Sequence, residues 1–265
     1  MGFAVNRRAL DTLGDHRDDW LILAGDLSES LEDVTTVLRA TTSRFAQVLW
    51  VPGNHELWTL PGERDQLRGV ARYDALVSLC RGYGVLTPED PYPIWPGAGP
   101  PCVIVPMFLL YDYSFRPDHV SREGALAWAA ASGVECTDEA VLHPDPFPSR
   151  EAWCAARCDA TEARLEAVDP SFDTVLVNHF PLRYDLAQLP FIPRFTLWCG
   201  TRRTNDWHTR FRARAVVSGH LHIPSTRHRD GVRFEEVSVG YPRQWSPQLG
   251  LESRLREILP GPPAR

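Results

Sequence analysis

The sequence predicts an α/β fold with a mostly parallel sheet. Two observations carry that prediction. Continuous apolar runs of strand length alternate with stretches whose apolar residues recur at helical spacing. Four of those runs also end directly in short polar motifs, where an open α/β sheet gathers its functional side chains at the carboxyl ends of its strands. A chain of 265 residues is long enough for one large domain with a full core.

The elements follow in order. Residues 6–14 read as a short helix stopped by Gly14. Residues 20–24 (WLILA) form an uninterrupted apolar run, as expected for a strand buried on both faces. Residues 30–44 read as a helix and 46–51 as the next strand. Residues 63–82 place Leu67, Val70, Ala71, Leu76, Leu79 and Cys80 at helical spacing. The six prolines of 88–101 mark a surface loop, and 102–107 a strand. Residues 111–148 show no clear period, and a loop region that long is functional or an insertion. Residues 149–168 read as a helix with Ser149 as N-cap and Glu151 in its first turn. Residues 174–178 and 215–218 are again buried-type strands, separated by the irregular stretch 181–213. The Asp-Gly pair at 230–231 joins 226–229 to 232–239 as a hairpin. The Pro-rich tail 240–265 is expected to wrap the outside.

Composition narrows the function. All 28 basic residues are Arg, so a Schiff-base or P-loop lysine mechanism is excluded. The net charge of −6 disfavours a general nucleic-acid binder. The exception is 194–214, where Arg194, Arg202, Arg203, Arg210, Arg212 and Arg214 form either a solvated face or a receptor for phosphate or an acidic partner. The six cysteines fit neither a zinc ribbon nor a disulfide scaffold and read as buried thiols. Cys154 and Cys158 should share a helix face. No apolar stretch has spanning length and no signal peptide is evident, so a cytoplasmic protein without a membrane partner is expected.

The four motifs are Gly25-Asp26, Gly53-Asn54-His55-Glu56, Asn178-His179 and Gly219-His220-Leu221-His222. Their glycines suit backbone that must turn sharply where side chains converge. Carboxylate, amide oxygen and imidazole together suit Mn, Fe or Zn better than a calcium cage. Two such ions about 3.5–4 Å apart can polarise a phosphoryl oxygen and make a nucleophile from water. A nearby His can protonate the leaving oxygen. Each motif alone is compatible with an ordinary turn; in order, each after an apolar strand, they form a set.

That ordered set resembles the calcineurin-like metallophosphoesterase family. Longer stretches such as WVPGNHELWT, VPMFLLYDYSF and DGVRFEEVSVGYP are similar to a subgroup of actinobacterial metallophosphoesterases that includes phosphopantetheinyl hydrolases of acyl carrier proteins. The resemblance implies one domain over 1–265, an αββα sandwich of mixed sheets flanked by helices, with 181–213 as a substrate-side loop. It implies that Asp26 bridges two divalent or trivalent metal ions, that Asn54, His179 and His220 complete one of them, and that His222 belongs to the other. It implies His55 as general acid, not ligand. The expected activity is phosphodiester hydrolysis, with holo acyl carrier protein as the favoured substrate.

The family pattern also begins with Asp-x-His at the end of a first strand. This sequence has helix from about Asn6, and Met1 falls at or just after the place of that His. The expectation is a fold lacking its first strand and two ligands of the first metal, the start lying upstream. The alternative is a one-metal binding or regulatory protein with little turnover; a nuclease is a further alternative. Asp15-His16 lacks the intervening residue and precedes a strand, so it reads as a solvated turn. His119, His143 and His228 read as surface residues, while His208 and Asp112 are candidates to line the site.

Overall fold

The computed structural model describes residues 4–62 and 66–260. The helix α1 (Ala4–Ala9) leads into β1 (His16–Leu23); α2 (Leu31–Thr42) then carries the chain to β2 (Phe45–Trp50), followed by α3 (Gly69–Gly82) and β3 (Cys102–Pro106). Two short helices, α4 (Ala125–Ala130) and α5 (Asp138–Val141), precede the long α6 (Arg150–Glu166). Then come β4 (Asp173–Val177), α7 (Trp207–Arg210), β5 (Ala213–Ser218), β6 (Ser225–Arg229) and β7 (Val232–Glu236).

The strands form two sheets. β1 and β2 pair in parallel, and the second sheet has the order β3-β4-β5-β7-β6. Its pairings are parallel except for the β6–β7 hairpin, so the sheet is mixed. Alternation along the strands builds the layers. Val175 and Val177 of β4 and Ala215 and Val217 of β5 meet Leu49, Val51 and Ala24 of the other sheet in one cluster. Leu176 and Val216, one residue out of phase, join the larger core that also holds Leu38 of α2, Leu76 of α3 and Trp153 of α6. This is the expected sandwich of two sheets between helices.

Local chemistry explains several boundaries. Ser30 caps α2 by accepting from the Asp33 N–H, and Ser149 caps α6 by accepting from the Ala152 N–H at 3.1 Å. α3 starts at Gly69, later than the apolar spacing suggests; residues 63–65 lie outside the described residues. Gly69 has φ of 51°, and a Cβ there would lie 2.1 Å from the Asp145 carbonyl oxygen, so a tertiary contact sets that start. Part of the stretch 111–148 is helical, as α4 and α5.

β1 departs from expectation. It begins at His16, and its residues are half-buried or exposed instead of buried on both faces. The reason is pairing: β2 takes one edge, and no other strand among the described residues pairs with β1 or precedes it. A cavity of about 1270 Å³ runs beside it, lined by Trp20, Ile22, Asp26, His55, His222 and Tyr241 among others. The tail does more than wrap the outside. Trp245 donates to Asn6 Oδ1 at 3.1 Å, the Leu251 N–H to Thr12 Oγ1 at 2.9 Å, and Ile258 and Leu259 pack against the inter-sheet cluster.

Candidate metal centre

Each motif follows a strand at its carboxyl end, and the parallel pairing brings these ends together. The Val51 N–H donates to the Leu23 carbonyl at 3.1 Å, and the Gly219 N–H to the His179 carbonyl at 3.0 Å. Gly25 and Asp26 both have positive φ, 85° and 56°. A Cβ on Gly25 would lie 2.6 Å from both Gly53 N and His179 Nδ1. Only glycine lets the two loops approach this closely.

Asp26, His179 and His220 converge, each offering a ligand atom within 4.8 Å of the others'. His179 Nε2 lies 3.2 Å from Asp26 Oδ2 and 3.1 Å from His220 Nδ1. His179 Nδ1 donates to the Ala24 carbonyl at 2.8 Å, which leaves Nε2 directed at the cluster. Two further polar atoms, Asn54 Oδ1 and His220 Nε2, are buried without a hydrogen-bond partner among the described residues. Orphaned acceptors cost stability unless something binds them. A carboxylate and two imidazoles converging in one cluster therefore fit a transition-metal ion.

Electrostatics agree. Burial alone would raise the Asp26 carboxyl, but His179, His55 and His220 together hold it below the usual carboxylate range. Burial disfavours a charged His179, yet Asp26 beside it pushes that ring up to about 9. Burial and the neighbouring His179 hold His220 well below the usual imidazole value. A negative and a positive group thus share the site in the absence of a cation, with a neutral imidazole next to them.

A family model described as calcineurin-like phosphoesterase matches residues 2–224. The chain belongs to the calcineurin-like phosphoesterase family. It is a metal-dependent phosphoester hydrolase of a family built around a dinuclear metal centre. It is 54% identical over 246 residues to the acyl-carrier-protein phosphodiesterase PptH of Mycobacterium tuberculosis, covering 92% of this chain and 76% of that one. The crystal structure of phosphopantetheinyl hydrolase (PptH) from the same organism matches with a TM-score of 0.94 and 51% identity, over 98% of this chain and 93% of that one.

The other expected residues of this phosphoesterase fall into place unevenly. His222 stays outside the three-residue cluster; it packs edge-on against Tyr241, with ring centroids 4.9 Å apart, and faces the cavity that Asp26 and His55 also line. His55 reaches toward Asp26, Nε2 to Oδ2 at 3.9 Å, while its Nδ1 lies 3.0 Å from Glu29 Oε1. Asn178 is structural: its Oδ1 accepts from the Leu109 N–H at 3.0 Å and its Nδ2 donates to the Phe180 carbonyl at 2.9 Å. His208 is buried against Asp230 at 2.8 Å, and Asp112 accepts from Thr201 at 2.7 Å, so neither joins the cluster.

The arginines of 194–214 are largely tied into the fold. Arg203 meets Asp159 and Glu162, Arg210 meets Glu162 and Glu166, and Arg194 lies over the Trp128 ring. Segment 181–213 still walls the site, because Phe195 stacks on His220 with centroids 6.0 Å apart.

Sequence reasoning assigned no role to Glu56 or Glu29. Glu56 sits inside a motif but is buried and points away from the cluster. Its carboxylate accepts from the N–H groups of Asp26, Leu27 and Gly53 at 2.9, 2.9 and 3.1 Å. It thereby fastens the first ligand loop to the second. A Glu three residues after a strand-exit Gly was the available signal. Glu29 carried none, since its contact with His55 spans 26 residues.

Proposed function

We propose that this phosphoesterase hydrolyses the phosphodiester that joins phosphopantetheine to an acidic acyl carrier protein. In this reading Asp26, Asn54, His179 and His220 hold one metal ion, and His222 contributes with Asp26 to a second. The observation that carries it is the convergence of Asp26, His179 and His220, with Asn54 Oδ1 buried and unpartnered among the described residues. The two ions, Mn, Fe or Zn, would supply charge neutralisation at phosphorus and an acidified water.

The chain's own residues do the rest. Asp26, kept anionic by the histidines around it, would offer its carboxylate to both ions. Glu29 at Nδ1, 3.0 Å away, fixes the His55 ring so that Nε2 is the nitrogen that would hand over a proton. As water adds to phosphorus and the P–O bond to the carrier breaks, His55 gives its proton to the leaving oxygen. Phe191 and Ile192, exposed at the tip of 181–213, give the carrier an apolar surface to cover. The six free cysteines suit a reducing, cytoplasmic setting.

The test is incubation with holo acyl carrier protein and Mn(II), Zn(II) or Fe(II), followed by intact mass. Loss of the phosphopantetheine mass is expected. A carrier left intact while bis(p-nitrophenyl) phosphate turns over would refute the substrate and keep the chemistry. Turnover of a polynucleotide that falls steeply with salt would instead favour a nuclease.

One observation favours a second reading. His222 lies outside the cluster, so a single ion can be held without it. A one-metal binding or regulatory protein would bind one ion per chain and turn over neither diester.

A further inference from the structure

The reading of Asn54 as a ligand leaves open what aims it. A primary amide carries an acceptor oxygen and a donor NH₂ of nearly the same shape, and only the oxygen can bind a cation. Which end faces the cluster depends on what holds the other end. Asn54 Nδ2 donates to Asp138 Oδ1 at 2.9 Å, and Asn54 Oδ1 remains buried and unpartnered. A carboxylate is an acceptor only, so the flipped amide would set two oxygens against each other.

Asp138 does this at a cost. It is fully buried, its Oδ2 has no partner at normal hydrogen-bond distance among the described residues, with the Tyr111 hydroxyl the group nearest to supplying one, and burial pushes its carboxyl up. An acid buried without a partner cation costs stability unless its hydrogen bonds offset it. Its Oδ1 also accepts from Trp58 Nε1 at 2.6 Å, and the Trp58 ring lies on His55 with centroids 3.8 Å apart. One carboxylate oxygen therefore touches the amide of the ligand candidate and the ring that backs the general-acid candidate. The helix that carries it is firmly held. The Thr59 N–H donates to the Val141 carbonyl at 2.9 Å, and Arg150 bridges Leu142, at 2.8 Å, to Glu139.

We propose that Asp138 is a positioning residue: it locks the Asn54 amide with Oδ1 toward the metal and, through Trp58, sets the plane of His55. The proposal rests on the reading of Asn54 as a ligand through Oδ1.

The test uses the full chain and Co(II) as probe, with affinity from chelator competition and geometry from the visible spectrum. Asn54→Ala reports on the underlying reading, and it should weaken Co(II) about 10–100-fold. Unchanged affinity in that variant would sink the ligand reading itself. Asp138→Ala should weaken Co(II) by a similar factor and shift the spectrum. Asp138→Asn can still accept from both Asn54 and Trp58 and should restore both to near the parent. On the Asn54→Ala background, Asp138→Ala should add little. If Asp138→Ala binds Co(II) like the parent, or weakens the Asn54→Ala protein by the same factor again, the positioning role is wrong. If Asp138→Ala does not fold, hydrogen exchange of the Asn54 side-chain amide in the parent decides. Slow exchange supports the lock, and exchange at the free-amide rate overturns it.

Discussion

Glu56 gives the sharpest test of how the two ligand loops are joined. Its Oε2 accepts from the N–H groups of Asp26 and Gly53, and its Oε1 accepts from the N–H of Leu27 and from Trp50 Nε1 at 3.4 Å. Glu56→Ala removes every one of these acceptors. Each buried backbone donor deprived of this acceptor costs about 1–3 kcal/mol. The neighbouring cavity, which Gly25, Asp26 and Leu27 line, admits water to some of them. The expected loss is therefore about 3–5 kcal/mol, toward the lower half of the sum. For a chain of this size that is roughly 6–20 °C in Tm. Glu56→Gln separates charge from shape. Gln keeps one acceptor oxygen but turns an NH₂ toward two N–H donors, so it should lose nearly as much as Ala. The assay is urea and thermal unfolding of the metal-free protein, followed by Co(II) affinity of the folded fraction. A Glu56→Gln protein as stable as the parent would show that the acceptor pair does not hold the loops.

Three further outcomes are expected. Metal affinity should rise with pH, because the ion must displace the proton that His179 keeps up to about 9 in the metal-free fold. The same raised value means that the Asp26–His179 pair stabilises the metal-free fold fully below the ordinary imidazole value of 6.5 and loses that contribution as pH rises toward about 9. Chelator competition at several pH values should give about tenfold per unit for one displaced proton, and a flat profile would contradict it. His55→Ala should lower kcat about 10²–10⁴-fold with metal content unchanged, and an unchanged kcat would remove His55 from proton transfer. His222→Ala should drop the bound metal from two ions to one per chain by elemental analysis; two ions retained would exclude it as a ligand.

The fold was legible where local signals and global packing agreed. The runs ending at Val51, Asn178 and Ser218 are strands because both faces of their sheets are covered, and Ser149 and the Asp230-Gly231 turn set their elements by local chemistry alone. The same rules misjudged β1, whose apolar run is half-exposed because β2 is its one neighbouring strand among the described residues, and α3, whose start answers to Asp145 far along the chain. The arginine-rich stretch was ambiguous because sequence does not show that α6 presents Asp159, Glu162 and Glu166 to it.

The candidate site follows the same division. Sequence by itself determined the chemistry: Asp26, Asn54, His55, His179, His220 and His222 are residue types that bind cations and move protons, each placed by a strand exit and, in three motifs, a glycine. Only the tertiary structure decided which of them meet, that His222 stands apart, and that Glu29, Glu56 and Asp138 hold the others. The reason is physical. A side chain's chemistry lies in its own atoms, but its surroundings come from partners such as Asp138, 84 residues away from Asn54, that no local pattern connects to it.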